Sequence, residues 1–241
     1  MHRCWLDADS PLTLGDTAAL SRQESDHVLK ALRMKPGDSV HLIAAERLYS
    51  GEIASAEGGN VLVRALRELP PPESTVQVTL WQGLPKSDKL EWIVQKATEL
   101  GAYQVLPVEM ARSVARITEK DDKKRERLSR IALEAAKQAG RAHVPQMLPA
   151  MRFQDALREL RGAAYVAWEE ADALRLSEAI AIDQPKEITL IIGPEGGISA
   201  EEIERLTAAG AKPVTLGRRI LRTETAGMCA LALTMAALGE M

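Results

Sequence analysis

Apolar positions in this chain follow two rhythms, and the change between them falls near residue 70. Before it, short alternating runs are cut by turn residues. Lys35-Pro36-Gly37-Asp38 feeds Ser39-Val40-His41-Leu42-Ile43, and Tyr49–Ala54 and Asn60–Leu66 flank Glu57-Gly58-Gly59. This period of two predicts strands. One helix is expected over Ser21–Leu32, with Ser21 and Glu24 as a capping box and Val28, Leu29 and Leu32 on its apolar face. Short strands with tight turns in so few residues predict a small β-barrel.

Beyond Leu69-Pro70-Pro71-Pro72-Glu73-Ser74, a semi-rigid linker by composition, strand runs alternate with helical spacing. Val76–Gln82, Gln104–Val108, Ala164–Trp168, Glu187–Ile192 and Pro213–Leu216 read as strands. Leu90, Ile93, Val94, Ala97 and Leu100 form a helical stripe that Gly101 ends. A basic helix is expected over Asp121–Ala139 and an apolar one over Glu224–Leu238, the latter with Met228, Leu231, Ala232, Met235 and Leu238 on one stripe. That stripe suits core packing and a subunit interface equally. Alternation of this kind argues for an α/β fold with a parallel sheet, preceded by the small β domain. The domain boundaries expected are 1–70 and 74–241.

Composition narrows the function classes. Hydrophobic residues make up 46% and charged residues 27%, and no apolar run reaches the ~20 residues that cross a bilayer. The N-terminal residues lack a signal-peptide pattern, so a cytoplasmic protein without a membrane role is expected. Cys4 and Cys229 are far apart and form no disulfide framework, and His2, His27, His41 and His143 show no metal-ligand spacing, so no metal is expected. The net charge is −3, yet Met110–Pro145 carries ten Lys and Arg against five Asp and Glu. That excess is compatible with a phosphate backbone and equally with a solvated helix face.

Two segments carry chemistry. Ile192-Gly193-Pro194-Glu195-Gly196-Gly197-Ile198-Ser199 follows a β-branched run, and Ser199 with Glu202 forms a capping box, so the order is strand, glycine loop, helix. Leu216-Gly217-Arg218-Arg219-Ile220-Leu221-Arg222-Thr223-Glu224-Thr225-Ala226-Gly227 repeats that plan. Two such loops at the C-terminal ends of strands converge on one crevice. Neither is a P-loop or G-x-G-x-x-G, and neither holds a nucleophile elbow. A cleft of backbone and apolar side chains suits a neutral purine with an amphipathic tail better than a pyrophosphate.

These two segments resemble motifs of the SPOUT-class methyltransferases, and the chain is most similar to the ribosomal RNA small-subunit methyltransferase E family. The likeness extends to Pro85-Lys86-Ser87-Asp88-Lys89, Gln95–Gly101, Gln138-Ala139-Gly140-Arg141 with Val144-Pro145, His27–Lys30 and Gly37-Asp38. Ala44-Ala45-Glu46-Arg47 departs from the family's usual Asp-Gly turn, and Ser87 stands where Gly is common. The resemblance implies a C-terminal trefoil-knotted domain, a PUA-like barrel before it, and a homodimer. It also implies S-adenosylmethionine as cofactor and methylation of a uridine at N3 in 16S rRNA, as naked RNA or in the small ribosomal subunit. A different RNA position (a ribose 2′-hydroxyl or a tRNA base) and a non-catalytic RNA-binding protein are the rival readings.

On this reading Ile192, Gly193, Pro194, Gly196, Gly197, Leu216, Gly217, Ile220, Leu221, Thr225 and Ala226 hold the cofactor. Uracil N3 must lose a proton before it attacks, so a guanidinium beside the resulting anion favours reaction. Arg222 is the candidate for that role, its alternative being an ion pair with Glu195 or Glu224. Glu195 is the second catalytic candidate, as base or as a clamp on loop amides. Lys86, Lys89, Arg112 and Arg141 are candidate RNA contacts or plain surface cations. Trp168 is expected in the core.

Overall fold

The computed structural model describes all residues except Asp7, Asp9, Glu119, Lys120 and 169–173. It divides into two units, one of Met1–Glu73 with Lys137–His143 and one of Ser74–Ala136 with Val144–Met241. Glu119 and Lys120 of the basic stretch lie outside the described residues.

In the first unit a five-stranded sheet runs in the order β1-β3-β4-β5-β2. Its strands are β1 (Arg3–Trp5), β2 (Thr17–Ala19), β3 (Ser39–Ala44), β4 (Arg47–Glu57) and β5 (Asn60–Leu69). β1 pairs parallel with β3, and the other pairings are antiparallel. Alternation sends Val40, Leu42, Tyr49, Ile53, Val61 and Val63 to one core, where each is essentially inaccessible. Helix α1 (Arg22–Asp26) starts at the expected cap, Ser21 Oγ accepting from Glu24 N–H at 3.2 Å. It continues as a π-helical turn, His27–Ala31, which buries Val28 and leaves Leu32 exposed, unlike the expected apolar face. The widened turn rotates the last residues away from the face that a regular helix would bury.

The β3–β4 hairpin closes on Ala45 and Glu46 with φ of 47° and 60°. Two consecutive left-handed residues define a type I′ turn, for which Asp-Gly is the favoured pair. Ala and Glu hold it here at a steric cost, and Glu46 offsets part of that cost through a 2.9 Å contact with His143 Nδ1.

The second unit is built on a parallel sheet ordered β12-β10-β11-β6-β7-β8, with β9 also on β7. Here the chain runs β6 (Gln77–Gly83), α2 (Lys89–Glu99), β7 (Gln104–Glu109), α3 (Asp121–Ala139), β8 (Gln146–Met147), β9 (Met151–Arg152) and α4 (Phe153–Ala156). It continues through β10 (Ala163–Ala167), α5 (Leu176–Asp183), β11 (Glu187–Ile192), α6 (Ala200–Ala208), β12 (Lys212–Val214) and α7 (Thr223–Ala237). Strands β6 and β11 are neighbours, yet the next strand lies to one side of β6 and to the opposite side of β11. A crevice therefore opens at their carboxyl ends. Pro213 is tolerated because β12 is the edge strand.

Helix α7 packs on α2, α5, β6 and β11. It buries Thr223, Gly227, Ala230, Leu231, Thr234 and Met235. The expected stripe is thus only half right: Leu231 and Met235 are inside, while Met228, Ala232 and Leu238 are half-buried. Thr223, Gly227, Ala230 and Thr234 share the buried face with Leu231 and Met235, and their small size lets the helix approach the sheet closely.

Arg141 differs from its expected role as an RNA contact. It is 6% exposed, and its Nη2 lies 2.7 Å from Glu73 Oε2. The other Glu73 oxygen accepts the N–H groups of Ala142 and His143 at 2.8 and 3.0 Å. Desolvation of this guanidinium is compensated by a carboxylate whose lone pairs are nearly all used, which commits it to the fold. Glu73→Ala leaves that buried charge uncompensated and should cost about 3–5 kcal/mol in denaturant unfolding; a loss below 1 kcal/mol would show the pair to be dispensable.

Candidate cofactor cleft and its family

A cavity of about 510 Å³ lies at the carboxyl ends of β10, β11 and β12. Three loops line it: Ala167 and Trp168, Ile192–Ile198, and Thr215–Thr223 with Ala226 of the following helix. Of the residues expected to hold a cofactor, Ile192, Gly193, Pro194, Gly196, Gly197, Leu216, Gly217, Ile220, Leu221 and Ala226 all line it. Thr225 does not. Helix α7 starts at Thr223, so its inward face carries Thr223, Ala226 and Gly227, and Thr225 points to solvent. Trp168, expected in the core, is half-buried and borders the cavity while packing on the adjacent apolar cluster.

The first loop is shaped by close approach. A Cβ on Gly193 would sit 2.7 Å from Ile198 Cγ1, and one on Gly83 would sit 2.4 Å from Pro194 N. The end of β6 therefore lies directly against the Gly193-Pro194 peptide. Ser199 caps α6, and Glu202 returns the bond to Ser199 N–H at 3.1 Å. The same buried carboxylate accepts Ala111 N–H at 2.8 Å, and Arg112 Nη1 donates to the Gly196 carbonyl at 3.2 Å. Arg112 thus braces the glycine loop from outside the cavity.

A buried chain of hydrogen bonds joins the two loops. Gln82 Nε2 donates to Thr223 Oγ1 at 2.8 Å, and Thr223 Oγ1 donates to the Gly193 carbonyl at 2.6 Å. Gln82 is 0% exposed and Thr223 is also buried. Neither residue is conspicuous in the sequence; the only signal was a polar Gln closing an apolar strand.

Charges are arranged around this lock. Lys89 Nζ lies 3.1 Å from Glu195 Oε1 and 3.1 Å from Glu224 Oε2. Glu195 also accepts the backbone N–H of Lys86 at 3.1 Å. Burial alone would push the Glu195 carboxyl up, but its own backbone N–H, that of Lys86 and the Lys89 ammonium outweigh burial and hold it below the usual range. Its own backbone N–H and Lys89 likewise depress Glu224, and the two carboxylates raise Lys89. Lys89 is therefore a tie between loop and helix, in contrast to the free RNA contact expected. Lys86 remains exposed but lies outside the cavity lining.

Arg222, at the N-cap of α7, lines the cavity, is exposed and has no ion-pair partner among the described residues. Arg218 and Arg219 share that rim in the same unpaired state. Ile220 is 82% exposed at the mouth. The arrangement is an apolar slot with a backbone-lined floor and a cationic lip.

A family model for an RNA methyltransferase domain matches residues 72–235. The ribosomal RNA small subunit methyltransferase E of Bacillus subtilis is 38% identical over 230 residues, covering 89% of this chain and 88% of its own. The chain belongs to the ribosomal RNA small subunit methyltransferase E family. The methyltransferase E of Mycobacterium bovis is 34% identical, with 91% and 87% covered. The crystal structure of the Neisseria gonorrhoeae methyltransferase E bound to S-adenosyl methionine superposes with a TM-score of 0.83, covering 98% of this chain and 97% of that one at 29% identity. The superposition extends over both units' sequence and agrees with an α/β fold built on a parallel sheet.

The Lys89 tie has a defined pH window. Carboxylates with depressed folded pKa values stabilise above their unfolded range and lose that contribution as pH falls through the folded values. A raised lysine stabilises below its unfolded value and loses it as pH rises through the folded one. The stability difference between the native chain and Lys89→Met, from denaturant melts, should be flat near neutrality and shrink as pH falls through and below the ordinary carboxylate range. A difference unchanged into acid would show that Lys89 contributes through packing alone.

Proposed function

We propose that this chain transfers a methyl group from S-adenosylmethionine to N3 of a uridine in 16S rRNA, in the cytoplasm, as naked RNA or within the small subunit. One observation carries the reading: two loops, tied through Gln82 and Thr223, enclose a slot beside Arg222, which has no ion-pair partner among the described residues. A cavity of about 510 Å³ matches a nucleoside-sized ligand. Its apolar walls (Ile192, Leu216, Leu221) and glycine backbone suit an adenosine, and no P-loop-like phosphate cradle is present among the described residues. The residues fit the donor.

When bound, the donor supplies an electrophilic methyl group; the protein's task is position and charge. Ile192–Gly197 and Leu216–Leu221 fix one partner and exclude water from one side of the reacting line. Arg222 faces the same space and stabilises the negative charge that spreads over the uracil oxygens once N3 is deprotonated. Glu195, anionic and already accepting from Lys86 and Lys89, serves as the clamp that holds the glycine loop. N3 lies on the Watson–Crick edge, so the target base enters unpaired or flipped.

Residues 1–70 form the PUA-like barrel that helps hold RNA in this reading, supported by the five-stranded sheet. Residues 74–241 form the SPOUT domain. Its trefoil knot is supported by the contact of β6 with the Gly193-Pro194 peptide and by α7 packing on β6 and β11. A homodimer formed through the half-buried Met228, Ala232 and Leu238 stripe of α7 completes the assembly. Lys86 and Arg112, both exposed, are the RNA contacts retained.

Arg222→Ala should keep its calorimetric affinity for S-adenosylmethionine and lose about 10²–10³-fold in single-turnover rate on small subunits. Nucleoside mass spectrometry should identify the product as 3-methyluridine. A wild-type rate in the variant would remove Arg222 from the chemistry, and a 2′-O-methyl product would overturn the substrate assignment.

A further inference from the structure

The first unit holds a cluster that the methyl-transfer reading leaves unused. His2 and Cys4 are two residues apart in extended chain, so both side chains share one face. The His2 carbonyl accepts His41 N–H at 2.8 Å, which continues the β1–β3 register through that residue. Glu24 stands in the first turn of α1. The imidazole, thiol and carboxylate donor atoms of these three residues all lie within 4.8 Å of one another. Cys4 is completely buried, and the Glu24 side chain is 15% exposed. His2 Nε2 is buried with no hydrogen-bond partner among the described residues.

An unpaired buried imidazole nitrogen beside a buried thiol is costly as a purely structural arrangement. A nitrogen, a thiol and a carboxylate brought this close together, with the nitrogen lone pair unused, present a set of donors that a metal ion can take. One nitrogen, one sulfur and one oxygen donor select a zinc-class divalent ion and disfavour magnesium or calcium, which take oxygen ligands. Tetrahedral zinc with bond lengths near 2.0–2.3 Å holds neighbouring donors roughly 3.5 Å apart, so small rotamer shifts close this cluster. Lys137 Nζ, 3.6 Å from Glu24 Oε1, competes for the carboxylate, and its displacement is part of the cost of loading. The fourth position falls to water or to His27, whose ring centroid is 5.2 Å from that of His2.

We propose that His2, Cys4 and Glu24 bind a zinc-class divalent ion that ties strand β1 to helix α1. β1 is a three-residue edge strand paired only to β3, and the protein's cysteines are free, so an ion here is a staple for the N-terminal edge. The spacing of histidines in the sequence hides this site because Glu24 arrives from a helix twenty residues on.

The test uses the full chain without a polyhistidine tag, in a Cys229→Ser background, titrated with cobalt(II). One equivalent should bind with a thiolate-to-metal charge-transfer band and the intense visible bands of a tetrahedral site, and Cys4→Ser should abolish the first. Because a buried serine can disturb folding, His2→Gln provides the second variant. Zinc should raise the thermal midpoint of the parent, reversibly with chelator, and leave that of His2→Gln unmoved. No charge-transfer band in the parent, or an equal zinc shift in His2→Gln, would overturn the proposal.

Discussion

Thr223 hydroxyl to Gly193 carbonyl is the bond on which the rest of the second unit depends. It crosses between two segments thirty residues apart in the chain and fixes how far the glycine loop stands from the start of α7. Gln82 makes the bond directional. Its amide donates to Thr223 Oγ1, which leaves that hydroxyl's own proton for Gly193. Inside an excluded, low-dielectric site such a chain is stronger than its members taken singly, and losing one member strands the others. Gln82 Oε1 has no hydrogen-bond partner among the described residues and faces Gly227, where an added Cβ would lie 3.2 Å away. The absence of a side chain at Gly227 is therefore part of the same lock.

The charges follow from that geometry. Once Gly193 and Thr223 are joined, Glu195 and Glu224 come to the two sides of Lys89, which takes both. Arg222 also acts on Glu224 electrostatically, without forming an ion pair with it. Arg222, at the lip of the slot, has no ion-pair partner among the described residues, which suits the role proposed for it. Partly exposed pairs such as those of Lys89 add modestly to stability; their effect here is to tie the glycine loop to the start of α7.

Much of this was legible in the residues. The capping box at Ser199 and Glu202, the helix over Asp121–Ala139 and the strand over Glu187–Ile192 are local signals, and they stand where the pattern put them. Most residues of the two loops reach one cavity because the loops that end β11 and β12 converge over β10, the strand between them. What failed was long-range. Arg141 reads as a surface cation until Glu73, sixty-eight residues earlier, neutralises it. Lys89 reads as a phosphate contact until two distant carboxylates meet it. Thr225 follows the motif by spacing, but the phase of α7 turns it outward. Partners of opposite charge leave no periodicity, so only the fold reveals them.

The central claim is that the Thr223 bond sets the cleft. Calorimetry of S-adenosylmethionine binding to Thr223→Val and Thr223→Ser tests it directly. Valine keeps the shape and removes the hydroxyl; serine keeps the hydroxyl. The account predicts that valine weakens binding by about tenfold or more, the equivalent of at least 1.4 kcal/mol for a buried bond, while serine stays near the native value. Equal affinities for valine and the native chain would contradict it.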